Sequence, residues 1–99
     1  MDMATIIRQQ ARLIILKALS AEVGETLNSD VLVVELQRFG IRKDRAWVHD
    51  ELDWLKDMGA VTVLDAGSVK VGQLTEKGHR HLSREIAIEG VKRPSRPEA

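Results

Sequence analysis

Residues 43–61 read KDRAWVHDELDWLKDMGAV, and this stretch decides the fold. Asp44 suits a helix N-cap, because its side chain can accept a free amide of the first turn. Gly59 suits the left-handed position just past a helix end. Between them Val48, Leu52 and Leu55 recur at helical spacing, with Met58 closing the last turn. The stretch is therefore an amphipathic helix. Its outward positions are Arg45, Trp47, His49, Asp50, Asp53, Lys56 and Asp57, with Glu51 and Trp54 on the flanks.

Working toward the N-terminus, a second helix starts at Asn28, another good N-cap. Leu27 and Leu32 stand at the N′ and N4 positions of a hydrophobic staple. It runs to about Gln37 and stops at Gly40, with Leu32, Leu36 and Phe39 as its stripe. Only a few residues then separate it from Asp44, which suits a helix-turn-helix. The first helix runs from about Ala4 to about Glu22, with Gly24 past its end. Ile7, Ala11, Ile14 and Ala18 share one face, while Leu13, Ile15, Leu16 and Leu19 lie off it. A helix apolar on two sides needs two partners. Either its own chain covers both sides, or the first and last helices form a homodimer interface.

Toward the C-terminus the period changes to alternation. Val61 and Val63 alternate with Thr62 and Leu64, Asp65–Ser68 reads as a turn, and Val69 and Val71 alternate again before Leu74. This is a short hairpin. Thr75 caps a fourth helix expected to reach about Ile86. The last residues, GVKRPSRPEA (90–99), are basic and punctuated by proline. They read as an extended or disordered tail outside a domain of residues 1–89.

The order helix, helix, helix, hairpin, helix defines an α+β winged helix-turn-helix with a two-stranded wing. The stretch LDWLKDMGAV (52–61), the hairpin and LTEKG (74–78) resemble the recognition-helix end, wing and last-helix entry of ArsR- and MarR-type bacterial regulators. Leu52, Leu55, Gly59, Ala60 and Val61 carry the match, which covers roughly residues 5–85. The whole chain, ending in GVKRPSRP (90–97), also resembles a family of small proteins from Mu-like phages and prophages. The first resemblance implies a DNA-binding transcriptional regulator. The second implies provenance rather than mechanism.

Composition bounds the rest. Ninety-nine residues, 43% apolar and 30% charged, make one globular domain. The formal net charge is zero, which weakens the electrostatic case for nucleic acid but leaves room for a local patch. Cysteine is absent, so disulfides and thiol chemistry are excluded, and a reducing bacterial cytoplasm fits. No apolar run is long enough to cross a membrane. Ser20, Ser29, Ser68, Ser83 and Ser95 sit in no nucleophile motif. His79 and His81 point about 200° apart on a helix, too far to share a metal ion. The expectation is a protein without enzymatic activity, cofactor or metal.

For DNA, the candidate residues are Arg42 and Lys43 just before the third helix, Arg45 and His49 on it, Lys70 on the wing, and Lys92, Arg93 and Arg96 on the tail. Arginine can bind guanine bidentately and lysine can take a phosphate. Against this stand Asp50 and Glu51, whose carboxylates repel phosphates, and a wing with Asp65 at its turn. The third helix can equally be a scaffold with a solvated, mixed-charge face. An alternative reading gives Trp47, Asp50 and Glu51 to a phage or host protein partner, since exposed tryptophan beside arginine suits an interface. Trp47 can instead pack against the second helix or the tail. Trp54 is expected in the core near the hairpin. The tail can lie along phosphates, dock on an acidic surface or simply aid solubility.

Overall fold

A computed structural model describes residues 1–96. It is an α+β fold of four α-helices and a three-stranded antiparallel sheet. Three side-chain caps set the entry of the middle and last helices where the sequence places them. Helix α2 (Ser29–Arg38) begins where Asn28 accepts from the Val31 amide. Helix α3 (Arg45–Asp57) begins where Asp44 accepts from the Trp47 amide. Helix α4 (Glu76–Leu82) begins where Thr75 accepts from the Gly78 amide. Helices α2 and α3 end alike. Gly40 and Gly59 take positive φ, and the next amides, of Ile41 and Ala60, return to the carbonyls of Leu36 and Leu55.

Helix α1 (Met3–Ser20) starts one residue before the expected position, because Asp2 caps it by accepting from the Thr5 amide. It ends two residues early. Gly24 and Glu25 take positive φ in a short turn that swings the chain into strand β1 (Thr26–Asn28). The sequence gives no sign of β1. Its three residues pair with Val71, Gly72 and Gln73 of strand β3 (Val69–Leu74), far along the chain. Strand β2 (Val61–Ala66) pairs with the other edge of β3, so the spatial order is β1-β3-β2. The hairpin turn is tighter than expected. Asp65 and Ala66 continue β2, which leaves Gly67 and Ser68 as the loop.

Helix α1 is the centre of the core. It packs against α2, α3, α4, β1 and β3. Leu13, Ile14, Ile15, Leu16 and Leu19 are all buried within the one chain, beside Leu32, Leu36, Val48, Leu52 and Leu55. The chain itself thus covers most of both apolar sides of α1, one of the two arrangements expected for this helix.

The C-terminal part departs most from expectation. Helix α4 stops at Leu82, short of Ile86, because Arg84 takes positive φ and the chain reverses. The reversal lets Ile88, Val91 and Pro94 turn inward and become buried. Residues 90–96 form no helix or strand but are not separate from the domain. The Lys92 amide donates to the Gln9 carbonyl of α1, and Arg84 donates to the Pro94 carbonyl. No packing break falls at residue 90; Pro97, Glu98 and Ala99 of the expected tail lie outside the described residues.

Gly78 marks the tightest approach of α4 to the sheet. A Cβ there would stand 2.5 Å from the Ala60 carbonyl oxygen and 2.5 Å from Leu74 Cδ1. Backbone cannot give way as a side-chain end can. Gly78→Ala is expected to cost about 2 kcal/mol despite its better helix propensity, read as a lower urea midpoint.

Candidate nucleic-acid interface

The candidate interface is the outer surface of α3 with the turn before it and the β2–β3 hairpin beside it. From Arg42 to Asp57 this segment carries four basic residues (Arg42, Lys43, Arg45, Lys56) and five acidic ones (Asp44, Asp50, Glu51, Asp53, Asp57). The charges are not mixed evenly. Three of the bases lie at the N-terminal end, and Asp50, Asp53 and Asp57 follow along the helix.

Arg45 is exposed and paired. Its Nε donates to Asp30 Oδ1 at 2.9 Å, and a second nitrogen reaches Oδ2 at 3.5 Å. Arg42 is exposed, and neither it nor Lys43 has an ion-pair partner among the described residues. Lys43 Nζ stands 5.4 Å over the Trp47 ring, a cation–π contact that holds the ammonium near the helix start. Trp47 itself is half-buried against the core rather than displayed.

The hairpin lysine is engaged as well. Lys70 Nζ lies 2.9 Å from Asp65 and 3.5 Å from Asp53, so one cation offsets the two carboxylates nearest the hairpin. The hydrogen bond from Lys70, and then its charge, holds the Asp65 carboxyl below the usual carboxylate range. The same bond to Asp65 pushes Lys70 up. The Lys70 amide donates to Ser29 Oγ at 3.1 Å, and that buried hydroxyl also bonds His49 Nε2 at 2.8 Å. Ser29 therefore fastens α3 to β3 through His49. A helix-start serine gives no local sign of this, since its partners come 20 and 41 residues later.

Glu51, named for a protein partner, is not on the surface. It is buried, and its Oε1 accepts from Arg12 Nε at 2.6 Å. Arg12 also donates to the Gly90 carbonyl at 3.0 Å, and its guanidinium lies 3.7 Å from the Trp54 ring centroid. Trp54 thus packs on Arg12 of α1 and beside Gly90 of the C-terminal segment. Both residues sit on the α3 flank that faces α1. A signal existed: Arg12 interrupts the run Ala11–Leu16, and a buried guanidinium demands a carboxylate. Asp50 is exposed, as expected.

The tail cations go elsewhere. Lys92 and Arg93 line a groove with Lys17 of α1 and Phe39 at the end of α2. Arg42, Lys43 and Arg45 line neither this groove nor the hollow that adjoins it at Ala18 and Ala21. Arg96 is exposed. His81 is fully buried instead of solvated: its Nδ1 accepts from the Ile88 amide, so its Nε2 carries the proton donated to the Lys92 carbonyl. His79 meets Glu25 at 2.5 Å. Among the described residues no three histidine or acidic side chains gather as a metal site would require, and no helix is long and apolar enough to cross a membrane.

Comparison with known proteins places the chain among phage proteins. It is 32% identical over 94 residues to "Uncharacterized protein gp26" of Escherichia phage Mu, a match covering 95% of this chain and 96% of that protein. The chain belongs to the family of that Mu protein, as its whole-chain resemblance suggested. No family model matches the chain. No solved structure matches it.

Proposed function

We propose that this protein is a winged helix-turn-helix of phage type that binds double-stranded DNA as a transcriptional regulator. Helices α2 and α3 form the helix-turn-helix, the β2–β3 hairpin is the wing, and β1 closes the sheet. The observation that carries the reading is the gathering of Arg42, Lys43 and Arg45 at the solvent-facing start of α3. That end of a recognition helix enters the major groove.

The charge gradient along α3 dictates the pose. Asp53 and Asp57 repel phosphates, so the helix inserts by its N-terminal end and the acidic end tilts away. Arg45 can exchange Asp30 for a phosphate or a guanine edge at little cost, because an exposed ion pair contributes only about 0–1 kcal/mol. Lys70 keeps Asp65 and Asp53 neutralised while the wing lies near the backbone.

About three phosphate contacts give a log–log salt slope of about −2.7. In a fluorescence-anisotropy titration with a mixed-sequence duplex, Arg42→Ala with Lys43→Ala is expected to flatten that slope by about 2. Asp57→Asn is expected to tighten binding. An unchanged slope in the double variant would contradict the proposed surface.

A further inference from the structure

A groove between α1, the end of α2 and the C-terminal segment has a different chemistry. Leu13, Ile14 and Ala18 of α1 form its floor, with Phe39 at the end of α2. It continues past Ala18 and Ala21 into a second hollow that Val31 and Val34 of α2 line. Three of these apolar side chains are strongly exposed: Val31 at 45%, Val34 at 57% and Phe39 at 58%. Single exposed apolar residues are ordinary, but a contiguous set beside a groove marks an interface. At the Phe39 end the rim is Lys17, Lys92 and Arg93. None of the three has an ion-pair partner among the described residues. The carboxylate there, Glu35, is already held by Arg38 at 2.8 Å. Glu22 and Arg38 at the far end bring one charge of each sign.

The geometry points to this groove as the docking site for an acidic amphipathic helix of a second protein. An apolar stripe at i, i+3, i+4 and i+7 would lie on Phe39, Ile14 and Val34, and carboxylates along its edge would meet Lys17, Lys92 and Arg93. Charge complementarity selects the occupant. DNA would leave the apolar floor uncovered. The acidic residues of this chain's own α3 come without apolar company, since Val48, Leu52 and Leu55 are buried. The C-terminal segment gains a purpose in this arrangement. Its docking on α1 fixes Lys92 and Arg93 as one wall of the groove. The inference is independent of DNA binding, because Arg42, Lys43 and Arg45 do not line the groove.

The test uses the full chain and two synthetic helical peptides with the same leucine stripe, one flanked by glutamates and the other by lysines. Titrations are followed by the amide spectrum of isotope-labelled protein. The acidic peptide is expected to shift residues of α1, α2 and the 92–95 segment, and to bind at least about tenfold tighter than its basic twin. Phe39→Ser, at an exposed position that leaves the fold intact, is expected to abolish binding. Lys17→Glu with Arg93→Glu is expected to reverse the preference. Equal binding of both peptides, no binding of the acidic one to folded protein, or shifts elsewhere would overturn the proposal. So would sedimentation as a dimer that Phe39→Ser dissociates, since the occupant would then be a second copy.

Discussion

Glu51→Ala is expected to lower stability by about 3–5 kcal/mol, the loss that follows when one partner of a buried ion pair is removed. Arg12 and Glu51 retain only 11% and 6% of their side-chain exposure. Without the carboxylate, Arg12 keeps a neutral carbonyl and an aromatic face, neither of which carries a compensating charge. For a domain of this size each kcal/mol moves the melting temperature by about 4–8 °C, so thermal unfolding followed by circular dichroism should fall by more than about 12 °C. The paired replacement Arg12→Met with Glu51→Leu should recover much of the loss, because removing both charges also removes the cost of burying them. A single variant within about 1 kcal/mol of the parent would show the pair to be better solvated than its burial implies.

His81→Ala is expected to cost about 3 kcal/mol, concentrated in the C-terminal segment. The imidazole joins α4 to the returning chain at two points, taking the Ile88 amide and donating to the Lys92 carbonyl. Removal leaves the buried Ile88 amide and the part-buried Lys92 carbonyl without this partner, a buried group costing about 1–3 kcal/mol unless water enters. Hydrogen exchange reads the effect directly. The Ile88 amide should be well protected in the parent chain and should exchange rapidly in the variant, while the amides of α3 keep their protection. Equal loss of protection throughout would mean that the segment and the domain unfold as one unit.

These two residues also show where the sequence stops informing. Caps and turns are written within four residues, so Asn28, Asp44, Thr75, Gly40 and Gly59 announce their elements. The inward stripe of α3 follows from spacing alone. Strand β1 does not, because its three residues become a strand only by pairing with β3. Arg12 and Glu51 are 39 residues apart, and Arg12 and Gly90 are 78 apart. A basic, proline-punctuated ending reads as a free tail, yet Val91 and Pro94 supply the apolar contact that seats it. At the candidate site the charges themselves were legible. Their pairing was not: Asp30 answers Arg45 from the preceding helix, and Lys70 answers two carboxylates from the hairpin.

Mapping a duplex onto the amide spectrum of the labelled chain tests the central claim most directly. At low salt, a mixed-sequence duplex should shift residues 42–49 and the hairpin around Lys70, and the shifts should fade steeply as salt rises. Shifts confined to α1 and α2, or none at low salt from a folded protein, would contradict DNA binding by this surface.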